Sequence, residues 1–176
     1  METIRTKVTV DAPVEVVWEQ LTDFESYPAW NPLFRKLEGE PIEGTKGRIH
    51  VQRPQGSRKS KRIRFVRVKP TRRLTWTRGH FIPGLLERRH SIAVRSRGKG
   101  KTELTQVHLL SGVLARIAYW LNGSRLRRGL AKMNQRLKER IEEMEGCSYS
   151  LQGQASARGD TRQPPTKQPR ERQIGI

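Results

Sequence analysis

The chain has 176 residues, and its 36 Lys and Arg against 17 Asp and Glu give a formal net charge of +19. Hydrophobic residues make up 34%, below the roughly 45–50% of an ordinary globular domain. The single cysteine, Cys147, excludes an internal disulfide and a cysteine-based metal cluster, and no apolar run is long enough to cross a bilayer. We therefore expect a cytoplasmic protein with no export signal.

Charge and composition divide the chain unevenly. Residues 46–101 contain 19 basic residues and one acidic residue, whereas residues 1–45 carry 4 basic and 9 acidic residues. Residues 147–176 are rich in Ser, Gln, Gly, Pro and Arg and poor in side chains that could form a core, a composition typical of disorder. We therefore predict one folded domain over residues 1–146 and a disordered basic tail over residues 147–176.

The N-terminal segment predicts a strand, a helix and a corner. Residues 3–10 alternate apolar and polar side chains, as a half-buried strand does. Residues 13–22 begin with a proline that suits the first helical position and carry one apolar stripe. Pro28 and Pro32 limit the next segment to a short helical turn and an extended corner.

The middle of the chain predicts antiparallel strands. Glycine and proline turn signals separate runs of alternating hydrophobicity, which predict one apolar face and one face rich in Arg and Lys. The predicted strands are residues 33–40, 46–53, 61–69, 73–79, 86–97 and 101–110.

A long amphipathic helix is predicted to follow and to end at Met144. The residues Asn122, Gly123 and Ser124 interrupt its pattern and predict a break there. Beyond the break, apolar residues recur at three- and four-residue intervals and form one stripe: Leu126, Leu130, Met133, Leu137, Ile141 and Met144.

Seven stretches of the chain, in this order of elements, carry a resemblance to a known family: residues 10–18, 23–32, 73–76, 83–85, 90–92, 102–106 and 133–138. Together they resemble the START-like helix-grip superfamily, SRPBCC, and its bacterial polyketide cyclase/dehydrase-like branch. The resemblance implies an α+β helix-grip fold: a seven-stranded curved antiparallel sheet wrapped around a long C-terminal helix, with a short helical corner after strand 1. It also implies a cavity between sheet and helix for an apolar or amphipathic small molecule, but it does not imply a reaction.

The glycine-rich turn at residues 98–100 predicts the register of the last two strands. Three interpretations are open for the histidines that this register brings together. They could orient a ligand, or they could act as a general acid and base. They could also have a structural role, bonding to each other, to water or to the backbone at the sheet margin. With Arg97 opposite Lys101, the predicted pairs on the apolar face are Val94 with Leu104, Ile92 with Gln106, and His90 with His108.

The expected function is binding, and possible transport, of an apolar or ring-containing small molecule. The alternative is an enzyme of the cyclase/dehydratase type in which His90 and His108 transfer protons. No metal or cofactor is predicted, because the sequence lacks metal-ligand spacing and a glycine-rich phosphate loop. The predicted ligand-binding residues are Trp30, Phe34, Val66, Val68, Leu74, Trp76, His90, Ile92, Val94, Leu104, Gln106, His108, Leu126, Leu130 and Met133.

The basic residues of the middle strands predict a cationic face on the convex side of the sheet. Such a surface attracts RNA, DNA, anionic lipid headgroups or acidic proteins, although it could also be a solvated surface without a partner. A polyanion-binding module is therefore a third possible function. The predicted contacts are Arg62, Arg64, Arg67 and Arg89, with Arg78 and Arg88 in the same group of strands.

Overall fold

The structure is a computed structural model that describes the backbone of residues 1–52, 58–79 and 82–158, and their side chains except those of residues 52, 58 and 146–158. The strands are β1 (Glu2–Val10), β2 (Lys36–Glu38), β3 (Lys46–Gln52), β4 (Arg58–Lys69), β5 (Arg73–Gly79), β6 (Glu87–Ser96) and β7 (Thr102–Ser111). The helices are α1 (Val14–Thr22), α2 (Tyr27–Trp30) and α3 (Ala115–Arg158).

All these strands belong to one antiparallel sheet with the order β1-β7-β6-β5-β4-β3-β2. From β2 to β7 each strand pairs with the next along the chain, and β1 closes the order by pairing with β7. The predicted register of β6 and β7 is confirmed, including the pair His90 and His108. The α+β fold class, with a seven-stranded curved sheet and a long C-terminal helix, is also confirmed.

The core lies between the inner face of the sheet and the helices. From the sheet it takes alternate residues such as Leu74, Ile92 and Leu104, none more than 1% exposed. Full burial of a large apolar side chain contributes about 1.5–3 kcal/mol relative to exposure. The apolar stripe of α3 supplies the other side with four side chains that are 0% exposed: Leu130, Met133, Leu137 and Ile141.

The strand β2 is shorter than residues 33–40, the predicted range. The preceding residues form a turn around Asn31, whose Oδ1 accepts hydrogen bonds from the backbone N–H of Leu33 at 3.0 Å and of Phe34 at 2.9 Å. These bonds hold the backbone in a turn, so the strand begins only after it. Phe34 is thereby held in the core, 8% exposed.

A bulge in β4 corrects the predicted alternation of that strand. Phe65 pairs with Trp76, but the next pair is Arg67 with Thr75, so Val66 is the extra residue. Strict alternation placed Val66 on the inner face, whereas the structure buries Phe65 there completely and leaves Val66 half-buried. A bulge of this kind shifts the alternation by one residue, and Val68 returns opposite Leu74.

The helix α3 runs without the predicted break at residues 122–124. A glycine inside a helix costs only about 1 kcal/mol, which packing can offset. A Cβ atom at Gly123 would lie 3.1 Å from the Tyr119 ring, so the ring packs where a side chain would otherwise stand.

The C-terminal part of the chain is only partly described. The backbone of α3 stays helical to Arg158, past the predicted end at Met144 and into the segment expected to be disordered. The sequence has no proline between α3's start and Pro164, so nothing in it forbids the extra turns. Contacts divide the chain into residues 1–145 and a second unit that begins at Gly146. The tail's residues 159–176, like the predicted turn at residues 54–56, lie outside the described residues, and the tail stays a prediction.

Candidate functional site

Two histidines form the centre of a polar group on the inner face of the sheet. The Nδ1 atoms of His90 and His108 lie 3.2 Å apart, and the residues are 2% and 9% exposed. Neither Nε2 atom has a hydrogen-bond partner among the described residues. Because a neutral imidazole carries one donor and one acceptor, the shared contact leaves one Nε2–H donor and one Nε2 acceptor unpaired.

Both histidines are neutral near pH 7. Burial lowers the pKa of His90 well below its ordinary value, and the neighbouring His108 acts in the same direction. Burial lowers the pKa of His108 to about 4, helped by the positive charges of Arg88 and Arg78. The pair therefore offers a hydrogen-bond donor and an acceptor to a ligand, and not an imidazolium.

Aromatic side chains enclose His90. The Trp76 ring stacks on the imidazole with 4.6 Å between centroids and 25° between planes. Phe34 meets both rings edge-on, 5.6 Å from His90 and 5.9 Å from Trp76. Trp30 lies in the corner, where its Nε1 donates to Ser26 Oγ at 3.1 Å. These contacts hold His90 in one orientation and present flat apolar surfaces beside it.

A buried amide chain joins the sheet to α3. Gln106 Nε2 donates to Asn134 Oδ1 at 2.5 Å, and Asn134 Nδ2 donates to Thr6 Oγ1 at 3.2 Å. Gln106 Oε1 has no hydrogen-bond partner among the described residues. The predicted site does not include Asn134. Helical periodicity identifies the apolar stripe, to which the neighbouring Met133 belongs, but it does not indicate a polar contact between α3 and β7.

Two arginines lie on the inner face, where they correct the expectation of a wholly convex cationic surface. Arg78 and Arg88 pair across β5 and β6 and follow the alternation of Trp76 and His90. Burial lowers the pKa of both arginines, and Arg88 helps to bring that of Arg78 to about 10. Buried Arg88 Nε has no hydrogen-bond partner among the described residues. Counting outward from Trp76 and His90 could have found this pair.

A pocket of about 380 Å³ opens beside these arginines, at the ends of β4, β5 and β6. Its described lining contains cations but no carboxylate, so the local potential is positive. A compact anionic group is the ligand chemistry that guanidinium side chains there would hold best. The lining residues are Ser60, Lys61, Arg62, Arg78, Gly79, Leu86 and Arg88.

The predicted ligand-binding residues lie on the facing surfaces of the sheet, the corner and α3. Trp30 also lines a second pocket of about 750 Å³ between the corner and α3. Half-buried positions are Val66, Val68 and Leu126. Their role in holding a ligand stays a prediction. Buried positions are Trp30, Phe34, Leu74, Trp76, His90, Ile92, Val94, Leu104, Gln106, His108, Leu130 and Met133.

The convex face carries Arg62, Arg64, Arg67 and Arg89, all exposed. Like charges sit directly opposite each other on this face, Arg48 with Arg62 and Lys46 with Arg64. A third pocket, of about 900 Å³, is lined by Arg62 and Arg64 together with Arg78 of the inner face and the carboxylate of Glu38. Cations packed in this way leave a strong positive field.

No helix in the part of the chain that the structure describes is long and apolar enough to cross a bilayer. No group of three or more His, Cys, Asp or Glu side chains there is arranged to hold a metal ion.

Comparison with known proteins gives a family and a set of similar folds. Residues 1–142 match the sequence profile described as polyketide cyclase / dehydrase and lipid transport. Among curated proteins, no sequence matched the chain.

Solved structures resemble this chain over about four-fifths of its length. A protein of Nitrosomonas europaea superposes with a TM-score of 0.67 and 17% identity, over 82% of this chain and 96% of that one. The ZhuI aromatase/cyclase of a Streptomyces strain gives 0.64 and 20%, over 80% and 93%. The two-domain aromatase/cyclase BexL gives 0.64 and 16%, over 81% and 47%. Identities this low show a shared fold and leave the activity open.

Proposed function

Because the chain belongs to the polyketide cyclase / dehydrase and lipid transport family, we propose that it binds an apolar or ring-containing small molecule between the inner face of the sheet and α3. The ligand carries an acidic group, which Arg78 and Arg88 hold at the ends of β5 and β6.

One observation carries this proposal: two buried polar atoms that lack hydrogen-bond partners among the described residues belong to diagonally neighbouring side chains on the inner face. Arg88 Nε and His108 Nε2 are both buried and unpartnered among the described residues. Arg88 pairs with Leu110, two positions from His108, so the two side chains are diagonal neighbours on β6 and β7. A buried polar group left without a hydrogen bond costs about 1–3 kcal/mol, so a partner at this position would be stabilising.

An acidic group suits this position better than a neutral one. Arg78 and Arg88 are opposed like charges, and burial disfavours the charged form of each. A carboxylate would accept hydrogen bonds from Arg88 and relieve the repulsion between the two guanidinium groups. A carboxylate would also accept a hydrogen bond from His108 Nε2 in the tautomer that carries a proton on that atom.

The rest of the ligand is apolar or aromatic. Inward from the arginines, Trp76 and Phe34 surround His90, and Met133 of α3 belongs to the same buried core. Flat apolar side chains favour a ring that can stack or pack edge-on. Binding sites of this type combine a mostly apolar wall with a few polar groups that fix orientation.

The neutral histidine pair favours binding over cyclase or dehydratase chemistry. A general acid near pH 7 works best with a pKa close to that pH. Burial moves both histidines away from it, since the pKa of His108 is about 4 and that of His90 is also lowered. Orienting a ligand by hydrogen bonds requires no protonated imidazole, so both neutral histidines can take part in it.

Two fluorescent probes that share one ring system test the proposal. N-phenyl-1-naphthylamine is neutral, and 1-anilinonaphthalene-8-sulfonate carries an anionic group on the same rings. We expect the protein to bind both probes, and the sulfonate roughly tenfold more tightly, as one charge-assisted contact of about 1.4 kcal/mol would give. Replacing both arginines, Arg78→Met with Arg88→Met, should remove the preference and keep the neutral probe bound.

The matched control is Arg67→Met with Arg89→Met, which removes the same two charges from the opposite face of the sheet. It should leave the preference unchanged. Failure of both probes to bind would overturn the binding function itself. Binding of both with equal affinity in the unchanged protein would overturn the acidic ligand and keep the apolar one.

A further inference from the structure

The start of α3 and the turn before it expose large apolar side chains. On the helix, Ile117 is 56% exposed, Trp120 81% and Leu121 62%, and Val113, in the turn that precedes the helix, is 81% exposed. The spacing of the three helical residues places them on one side of the helix. We call them the α3 apolar stripe. Isolated exposed apolar residues are ordinary, but a contiguous row that includes a tryptophan indicates a surface that contacts another apolar phase.

Positive charges border the stripe. Arg116 and Arg127 lie along one edge and Arg125 along the other, and Arg128 continues the same helix face; all are exposed. The sequence has no Asp or Glu between Glu103 and Glu139. A helix with an apolar face, a basic border and no acidic residues is the pattern of segments that lie in the interface of an anionic bilayer.

We propose that the α3 apolar stripe inserts into the surface of an anionic lipid bilayer, with Arg125, Arg127 and Arg128 bound to lipid headgroups. The helix lies in the plane of the interface, because its apolar run is too short to span a bilayer. Trp120 suits the headgroup boundary, where one side of the indole meets hydrocarbon and its N–H meets water.

Charge favours lipid over the other possible occupants of the stripe. A second copy docked on the same stripe would bring its own arginines against Arg116 and Arg127. The chain's own C-terminal segment is also net positive, with 5 basic and 2 acidic residues over positions 147–176. An anionic membrane complements both the apolar stripe and its basic border.

Vesicle binding tests the proposal with the full chain. The probes are vesicles of phosphatidylcholine alone and of phosphatidylcholine mixed with phosphatidylglycerol. We expect binding to the mixed vesicles, and a roughly tenfold loss in the double variant Trp120→Ser with Leu121→Ser, since these side chains supply much of the inserted apolar area. The control is Ile42→Ser, which removes one exposed apolar side chain, 54% exposed, from the segment between β2 and β3.

A second measurement separates insertion from attraction by charge alone. Brominated acyl chains quench a tryptophan that enters the hydrocarbon boundary. Quenching should occur in the unchanged protein and largely disappear in Trp120→Phe, which keeps the apolar surface and the vesicle affinity. Equal vesicle binding by the Trp120→Ser and Leu121→Ser protein would overturn the proposal in favour of a charge-driven contact. A dimer that this variant dissociates, without vesicle binding by either protein, would assign the stripe to a second copy.

Discussion

His90 and His108 face each other across β6 and β7 through their Nδ1 atoms, 3.2 Å apart. This contact requires one nitrogen to donate and the other to accept, so it exists only while at least one imidazole is neutral at Nδ1. A proton on the His108 ring would also place a cation beside Arg88 and Arg78. The pair therefore makes the domain sensitive to mild acid.

We expect the free energy of unfolding to fall as the pH drops from about 6.5 to about 4. An unfolded histidine takes up a proton near its ordinary pKa of 6.5, whereas His108 in the folded chain does so only near a pKa of about 4. The unfolded state binds more protons in this interval, so acid favours unfolding. For His108 the loss is on the order of 3 kcal/mol, and His90 acts in the same direction.

Urea unfolding at a series of pH values measures this loss. The control is the double variant His90→Gln with His108→Gln, which removes the titrating groups and keeps polar side chains of similar length. Its stability should depend less on pH than that of the unchanged protein between pH 6.5 and 4. Parallel pH profiles for the two proteins would contradict the prediction.

Gly112 should not tolerate a side chain. Its φ is +101°, and a Cβ atom there would lie 2.6 Å from Gly84 O and 2.7 Å from Leu85 O. The same loop accepts backbone hydrogen bonds from Val113 at 3.1 Å and Leu114 at 3.0 Å, so it cannot withdraw freely. We expect Gly112→Ala to lower the free energy of unfolding by roughly 2–4 kcal/mol, measured by chemical denaturation.

The control for Gly112→Ala is Gly98→Ala. Gly98 also has a positive φ, +76°, but a Cβ atom there meets nothing within 4 Å. This variant should cost about 1–2 kcal/mol, the conformational cost alone. Equal losses for the two variants would mean that the close backbone contact at Gly112 does not matter.

The β4 bulge predicts that two adjacent side chains differ sharply in their contribution to stability. Phe65 is 0% exposed and packs near Trp76, whereas Val66 is half-buried at the bulge. We expect Phe65→Ala to destabilise the domain by about 3–5 kcal/mol and Val66→Ala by roughly 1 kcal/mol. A larger loss of stability for Val66→Ala than for Phe65→Ala would contradict the bulge, because it would indicate strict alternation in β4 with Val66 on the inner face.

The convex face should bind polyanions through charge and not through sequence. Replacement of Arg62, Arg64, Arg67 and Arg89 by Glu should abolish retention on heparin and binding to RNA, because all four side chains are exposed. Affinity for RNA should fall roughly a thousandfold between 50 and 200 mM salt if about six phosphates are contacted.

Four Glu replacements on another face are the matched control for charge. Arg125, Arg127, Arg128 and Lys132 on α3 are exposed and give the same change in net charge. This control should keep most of the RNA affinity. If both sets of replacements weaken binding equally, total charge and not the convex face determines it. Absence of binding at low salt would leave the face a solvated surface.

The features that sequence predicted here are those set by local pattern. Alternation and glycine turns are local, so they predicted the positions of the strands along the chain and the pairing of His90 with His108. The bulge at Val66 depends on the pairing of β4 with β5, where Phe65 lies opposite Trp76 and Arg67 opposite Thr75. Alternation within one strand contains no information about such a register shift. The unbroken helix at Gly123 goes with the packing of the Tyr119 ring against the glycine, which glycine and asparagine signals alone do not indicate. The local pattern did indicate the inward position of Arg88, because Arg88 lies two residues before His90 on the same strand. The high net charge of these strands favoured the outer face for all the arginines, and this assignment was wrong for Arg88.

The pairing of the first strand with the last has a consequence for synthesis on the ribosome. β1 pairs from Glu2 to Val10 with Leu110 back to Thr102. At about 5–20 residues per second, β1 waits on the order of 5–20 s for its partner to be made. During that time its edge is open to other chains. The alternating exposed Arg5 and Lys7 on this strand supply the like-charge repulsion that discourages such mispairing while the chain is incomplete.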